Sequence, residues 1–393
     1  MTSSLASLEA EASLERLVNS NQPEHRALWA QQWKQGGGKV VGVLCTYVPV
    51  EVLVAANVMP WRVSGTWSDK IDDALVIRSA NSCGYCNHVL QSLLDGDMAF
   101  LDGVVATTWE QDITRLWDVW LHLGKTKFNH ILHLPHYTSE RTIKYYAQEI
   151  AEFITAVEKL AGRSITEKDL WQAIEACNRR RSLILQVYEL RKRAMPPLSG
   201  AEMVGLTVAG TLMPVEQFNQ ELGALLPYIK QRKPPLASFT PRILVSSDFV
   251  DNPAYLKLIE EADCVVAMDD FDTGSRYYTG LVQADGPDPL MALARRYLGQ
   301  SGSARMVAWQ AHTEQVAAWV KEYDINGVIE LAQRYSRARE MRSPFFMDRM
   351  NKAGIKAISL EREYTPSNMG QLRNRVQAFM EMLNPTVWKG HGS

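Results

Sequence analysis

Cysteine is scarce in this chain, with five in 393 residues. Five scattered cysteines do not build the disulfide framework of a small secreted scaffold, and they predict a reducing, cytoplasmic setting. Long hydrophobic runs are missing too. No stretch reaches the roughly eighteen apolar residues of a membrane-spanning helix. The first thirty residues are polar and rich in Glu and Ser, not patterned as a signal peptide. An excess of either charge is also lacking. The 42 Lys and Arg residues nearly balance 44 Asp and Glu, for a net charge of −2. That leaves no general electrostatic attraction for nucleic acid or an anionic membrane. The loops GxGxxG and GxxxxGK(S/T) and the nucleophile elbow GxSxG are absent, which argues against nucleotide hydrolysis by this chain.

What is present is globular: 46% hydrophobic and 22% charged residues, with eleven tryptophans. The length is too great for one compact core and predicts at least two domains. Most of the tryptophans belong to cores, with some available to line a pocket for a flat or apolar ligand.

Residues 5–35 read as an amphipathic helix with Leu5, Leu8, Leu14 and Leu17 on one stripe, ended by Gly36–Gly38. Lys39–Leu44 is a short apolar run of strand type, Val50–Asn57 reads as helix, and MPWRVSG returns to strand. LDGVVATT (101–108) is another buried strand, followed by a helix through Leu116 and Trp120. From 139 to 240 the pattern becomes helical, with Gly162 as a stop and Ser164–Ile165–Thr166–Glu167 as a capping box. Strand candidates resume at 241–250, 263–270, 325–331 and 355–361. Alternation of this kind predicts an α/β class: two flavodoxin-like or Rossmann-like parallel-sheet domains with a helical insert. The segments are an N-terminal helical piece (1–35), a first α/β domain (36–138), the insert or linker (139–240) and a second α/β domain (241–393).

The stretch SANSCGYCNHVLQSLL sets Cys83 and Cys86 at a C-x-x-C spacing ahead of a helical pattern. Cys45 ends a strand, where open α/β sheets bind ligands. Three readings stand. Zinc wants a closed set of four ligands, and a second C-x-x-C or a His pair is missing, although His88, His130, His133 and His136 are available. A redox dithiol leaves Cys45 surplus. Three thiolates near strand ends suit an iron–sulfur cluster. Cys177, within a helix, and Cys264, within an apolar strand, read as packing. Asp269, Asp270 and Asp272, followed by Gly274 and Arg276, can bind a metal, orient a donor or cap the next helix.

Longer phrases carry a resemblance. CTYVPVEVLVAANVMPWRV resembles the CTYVPEELIxAAGxxPxR signature of the 2-hydroxyacyl-CoA dehydratase and benzoyl-CoA reductase family, and SCGYCNHVLQSLLDGDMAFLDGVVATT resembles that family's next block. AMDDFDTGSRYYTGLV, DPLMALARRYL, EYDINGVIEL and GIKAISLEREYTPSNMGQLRNRVQAFMEML continue it from about residue 36 to the C-terminus. The closing blocks look most like the B- or C-type subunits of ATP-dependent benzoyl-CoA reductase.

The resemblance implies an oxidoreductase subunit holding a 4Fe-4S cluster near a CoA thioester. Its implied partners are a homologous cluster-binding subunit, an ATP-hydrolysing iron–sulfur activator, ferredoxin as upstream donor and an aromatic acyl-CoA substrate. Cys45 and Cys83 match two of the family's cluster cysteines, while Ser336 stands where a third is expected. Cys86 then becomes the favoured third thiolate and Ser336 the oxygen alternative. His88 and Tyr85, beside the cysteines, become candidate proton donors or pocket wall. Two other readings follow from the same resemblance: a radical 2-hydroxyacyl-CoA dehydratase subunit, and a non-catalytic scaffold whose cluster site has decayed.

Overall fold

The computed structural model describes residues 2–237, 240–284, 286–300, 306–307, 309–367 and 369–383. The side chain of Leu5 and residues 384–393, both within the predicted segments, lie outside the described residues. Two all-parallel four-stranded sheets organise the chain. The first contains β1 (Lys39–Val43), β2 (Val58–Arg62), β3 (Gly103–Thr107) and β4 (Phe128–Leu132) in the order β2-β1-β3-β4. The second contains β5 (Arg242–Ser246), β6 (Val265–Asp270), β7 (Gly327–Gln333) and β8 (Ala357–Arg362) in the order β6-β5-β7-β8. The two sheets therefore share one winding, and each reverses direction next to its first strand. Such a reversal opens a crevice at the strand C-termini.

Burial explains why these segments are strands. β1 is covered on both faces: Val40 and Leu44 enter one core, and Val41, Val43 and Cys45 enter the other. The β-branched runs tolerate that double burial. β4 is absent from the strands expected of the sequence. Its residues FNHIL are half-buried except at Leu132, so no apolar run announces an edge strand.

The N-terminal piece is two helices, Thr2–Val18 and Leu28–Gln35, not the single helix predicted for 5–35. Turns occupy the interval around Pro23, where the missing N–H blocks continuation. Leu14 and Leu17 are buried, whereas Leu8 is exposed. The predicted capping box is displaced as well. Thr166, not Ser164, caps the helix Glu167–Leu190, in a reciprocal pair with Asp169. Gly162 does end the preceding helix, Glu140–Ala161, in the left-handed conformation.

The helices between 139 and 240 pack between and around the sheets. Helix Gly200–Leu212 lies against β2 on one side and β6 on the other, and nearly every residue in it is buried. One apolar core accordingly runs through both sheets, joining Met59, Trp61 and Val104 to Ile243, Leu244 and Val328. No helix among the described residues is long and apolar enough to cross a membrane.

Candidate active site

The strand C-termini of the two sheets face each other, and the residues singled out in the sequence collect around that seam. Cys45 follows β1 at the first sheet's reversal point and is 1% exposed. The Thr107 hydroxyl at the end of β3 donates to Cys45 Sγ at 3.0 Å, and the Tyr47 amide donates at 3.4 Å. Burial pushes the Cys45 thiol up to about 11, against the pull of the Thr107 bond and nearby Arg62. The adjacent Thr46 hydroxyl donates to the Asp272 carbonyl at 3.0 Å and stitches this loop to the one after β6.

Cys83 is the N-cap residue of helix Gly84–Leu94, and Cys86 lies in its first turn. The Cys86 thiol hydrogen-bonds to the Cys83 sulfur, holding Cys83 below the usual thiol range. Burial drives Cys86 itself well above that range. Gln333 Nε2, at the end of β7, reaches Cys83 Sγ at 3.8 Å across the seam. The helix start is braced by Arg78, which pairs with Asp112 at 2.9 Å and donates to Asn87 Oδ1 at 3.1 Å.

Tyr85 and His88 sit on the same helix. The Tyr85 hydroxyl donates to the Val63 carbonyl at 2.9 Å, and burial pushes its pKa well above that of an ordinary phenol. Its ring centroid lies 4.4 Å from that of Phe249. His88 Nδ1 donates to the Thr66 carbonyl at 2.9 Å. Burial lowers its pKa, leaving a neutral imidazole near pH 7 whose ring lies 4.8 Å from Tyr364. Gly65 permits this packing, since a Cβ there would stand 2.5 Å from His88 Cβ.

Ser336 lies after β7, at the second sheet's reversal point, and its hydroxyl donates to Asp248 Oδ2 at 2.9 Å. The acidic run serves internal pairing. Asp269 accepts from Tyr188 at 2.5 Å and from the Ser275 amide at 2.9 Å, which caps the short helix Ser275–Tyr278. Asp270 is fully buried and bonded to Arg276, Ser246 and His312. Asp272 pairs with Arg276 at 3.2 Å.

Sequence reasoning passes over one residue that the tertiary structure makes prominent. Arg62, the last residue of β2, is 6% exposed and rests 5.2 Å over the Phe249 ring. Its charge is felt at Cys45, Tyr85 and Asp272. Arg62 Nε and Asp272 Oδ2 are both buried without a hydrogen-bond partner. A buried donor and a buried acceptor left unsatisfied at one seam mark a place that suits a further polar or charged group. Its signals in the sequence are its position at the end of the strand MPWRV and its match to the closing Arg of the signature CTYVPEELIxAAGxxPxR.

These donors fit an iron–sulfur cluster in kind: soft thiols after a strand and at a helix start, with an unsatisfied guanidinium whose charge is felt at Cys45. The set is not assembled, however. Cys83 and Cys86 are brought together, while the hydrogen-bond partners of Cys45 are Thr107 and Tyr47. Among the described residues, no group of three or more His, Cys, Asp or Glu side chains converges as a metal site. The predicted ligand loops thus share one seam without forming a closed three-thiolate cage.

The family model described as 2-hydroxyglutaryl-CoA dehydratase, D-component, matches residues 45–383, beginning at Cys45 itself. The chain belongs to this family. Among its curated relatives is the C-type benzoyl-CoA reductase polypeptide of Thauera aromatica, 24% identical over 90% of this chain and 94% of the relative. The (R)-phenyllactyl-CoA dehydratase beta subunit of Clostridium sporogenes is 22% identical over 89% and 93%. The beta subunit of (R)-2-hydroxyglutaryl-CoA dehydratase from Acidaminococcus fermentans is 23% identical over 90% and 94%. Membership in the dehydratase D-component family makes the chain a subunit of a reductase or dehydratase type of enzyme.

Proposed function

We propose that this chain is the iron–sulfur subunit of an ATP-dependent reductase of the benzoyl-CoA type, acting on the ring of an aromatic CoA thioester. The observation that carries the reading is the seam itself. Cys45 follows β1 and Cys83 starts helix Gly84–Leu94; Thr46 beside Cys45 bonds across to the Asp272 carbonyl, Gln333 of β7 reaches Cys83, and Arg62, whose charge is felt at Cys45, keeps a buried unsatisfied Nε. Cys45, Cys83 and Cys86 would hold a 4Fe-4S cluster there, with Ser336 as the oxygen alternative. When bound, the cluster supplies one-electron transfer at low potential.

The chain's own side chains do the rest. Arg62 holds negative charge at the seam. Tyr85, Phe249 and Tyr364 exclude water with tilted and edge-on ring contacts. His88 fixes its Nδ1 proton on the Thr66 carbonyl, which leaves Nε2 as the basic atom for proton traffic. ATP hydrolysis belongs to an activator, with ferredoxin as donor, because this chain lacks phosphate loops. A homologous cluster-binding partner makes up the rest of the complex.

Iron and acid-labile sulfide per chain, measured on the complex prepared without oxygen, test this reading. About four of each on this chain are expected for a cubane. Near-zero iron here, with the partner subunits loaded, overturns it. That outcome favours a cluster-free supporting role, a second reading prompted by Ser336, whose hydroxyl is engaged with Asp248. The dehydratase relatives prompt a third reading, and the electron balance separates it: a reductase consumes electrons stoichiometrically, whereas a dehydratase returns them.

A further inference from the structure

Behind the loop that follows β2, a cavity of about 420 Å³ lies among the turns around Pro23, the start of helix Leu28–Gln35 and the far end of helix Gly84–Leu94. That volume is within the range of roughly 300–1,000 Å³ usual for small-molecule sites. Trp61, Trp67, Leu28 and Met98 give it apolar walls, and Arg26 and Ser64 stand among them. Three polar atoms of this lining are buried without a hydrogen-bond partner among the described residues: Arg26 Nε, Ser64 Oγ and Trp67 Nε1. None of the other four principal cavities is lined by a residue with such an atom.

These groups are held in place, not loose at the surface. Ser64 is 1% exposed and Arg26 is 9% exposed. The terminal nitrogens of Arg26 donate to the carbonyls of Gly65 at 2.6 Å and Asn21 at 3.3 Å. That leaves its Nε–H unanswered and its charge bonded only to neutral oxygens. The guanidinium carbon lies 5.1 Å from the centroid of the Trp67 ring, so the two unanswered N–H groups belong to one contact. The rim has the opposite sign, with Glu24 and Asp97 exposed on it. A carboxylate meets all of these conditions. It brings two acceptor oxygens for the Trp67 and Arg26 N–H groups, and the Ser64 hydroxyl donates as well. The rim carboxylates repel a second negative charge, and the indole walls suit a flat organic body.

We infer that this cavity is a binding site for a small organic monocarboxylate, separate from the cysteine seam. Its occupant bears on the seam through one loop, residues 63–67. Ser64 and Trp67 line the cavity, while the backbone beside them serves the seam. The Val63 carbonyl accepts from Tyr85, the Gly65 amide donates to the Tyr364 oxygen at 3.0 Å, and the Thr66 carbonyl accepts from His88. A ligand that fixes Ser64 and Trp67 therefore fixes the loop that orients His88. The inference depends neither on the cluster nor on the acyl-CoA reading.

The test is isothermal titration of the purified multi-subunit complex with benzoate, its neutral isostere benzamide, and inorganic phosphate. Benzoate is expected to bind about tenfold or more tightly than benzamide, and phosphate more weakly than benzoate. Trp67→Phe removes the N–H and keeps a ring under Arg26, and Ser64→Ala removes the hydroxyl. Neither group bonds within the chain, so both variants are expected to melt at the wild-type temperature or above. Their benzoate affinity is expected to fall about tenfold and about threefold. Wild-type affinity in both variants overturns the inference and assigns any benzoate binding to another site. Equal affinity for benzamide overturns the carboxylate, phosphate binding as tight as benzoate overturns it in favour of an inorganic anion, and no benzoate binding overturns it outright. Amide hydrogen exchange across residues 63–67 is expected to slow with saturating benzoate in wild type, and unchanged exchange overturns the link to His88.

Discussion

Glu51→Gln removes one charge from the interior and leaves the shape almost unchanged, so its cost reads the electrostatics directly. Glu51 and Arg181 both have fully buried side chains and meet at 2.5 Å, while the second carboxylate oxygen accepts from Tyr297 at 2.8 Å. The interaction ties helix Val50–Ala55 to helices Glu167–Leu190 and Pro289–Gly299. Burial by itself disfavours the Glu51 charge, but Arg181 and Arg296 outweigh it and hold the carboxyl below its usual range. With Gln in place, those two guanidiniums face each other without a counter-ion. A pair of unit charges about 4 Å apart is worth about 4 kcal/mol at an effective dielectric of ~20, and breaking buried pairs typically costs about 3–5 kcal/mol. Against a stability of ~5–15 kcal/mol for a typical domain, that is a large fraction.

Urea unfolding at pH 7.5 measures the effect as a lowered midpoint at constant slope. Adding Arg181→Met to Glu51→Gln is expected to recover part of the loss, because the stranded charge goes too. A single-variant loss below about 1 kcal/mol, or strictly additive losses in the double variant, would refute the argument. The pH dependence has a definite sign. Because the folded carboxyl is depressed, its stabilisation is complete above the unfolded value of about 4.3 and disappears as pH falls through the folded one.

Three further outcomes are expected. Burial pushes Glu260 up to about 7, although it accepts amides from Gly200, Ala201 and Val266. The folded state thus binds that proton more tightly than the unfolded chain, and stability falls as pH rises from about 4.5 through 7. Glu260→Gln flattens this slope in melting curves, and an unchanged slope would assign it to other groups. Gly205→Ala sets a Cβ 2.1 Å from the Val18 carbonyl oxygen, forcing two backbones apart, whereas Gly223→Ala meets nothing within 4 Å. The first is expected to destabilise by about 1–3 kcal/mol and the second to stabilise by up to about 1 kcal/mol, as melting shifts of opposite sign. Ser336→Cys supplies the third thiol that the family pattern expects. More iron per chain than wild type after anaerobic reconstitution supports the seam as its seat, and no gain while Cys45→Ala still loses iron counts against Ser336 as a ligand position.

Much of this architecture is legible from residues alone. Runs such as VVGV and CVVAM are doubly buried, so their apolar character follows directly from parallel-sheet geometry, and the glycine stop at 162 follows from left-handed backbone. The cysteines are conspicuous because they are few. The edge strand Phe128–Leu132 is hidden because an edge is half-solvated and needs no apolar run. Ser164 and Thr166 offer equivalent cap chemistry, and only the register of the packed helix chooses between them. The dependence on tertiary structure is strongest at the seam. Arg62 becomes a site residue only because Phe249 and Asp272, far away along the chain, fold against it and leave its Nε unsatisfied. Glu51 is likewise paired with Arg181, 130 positions further along the chain. Local sequence specifies which backbone shapes are accessible. Which charges end up paired is a property of long-range contacts, and those exist only once both sheets have closed around one core.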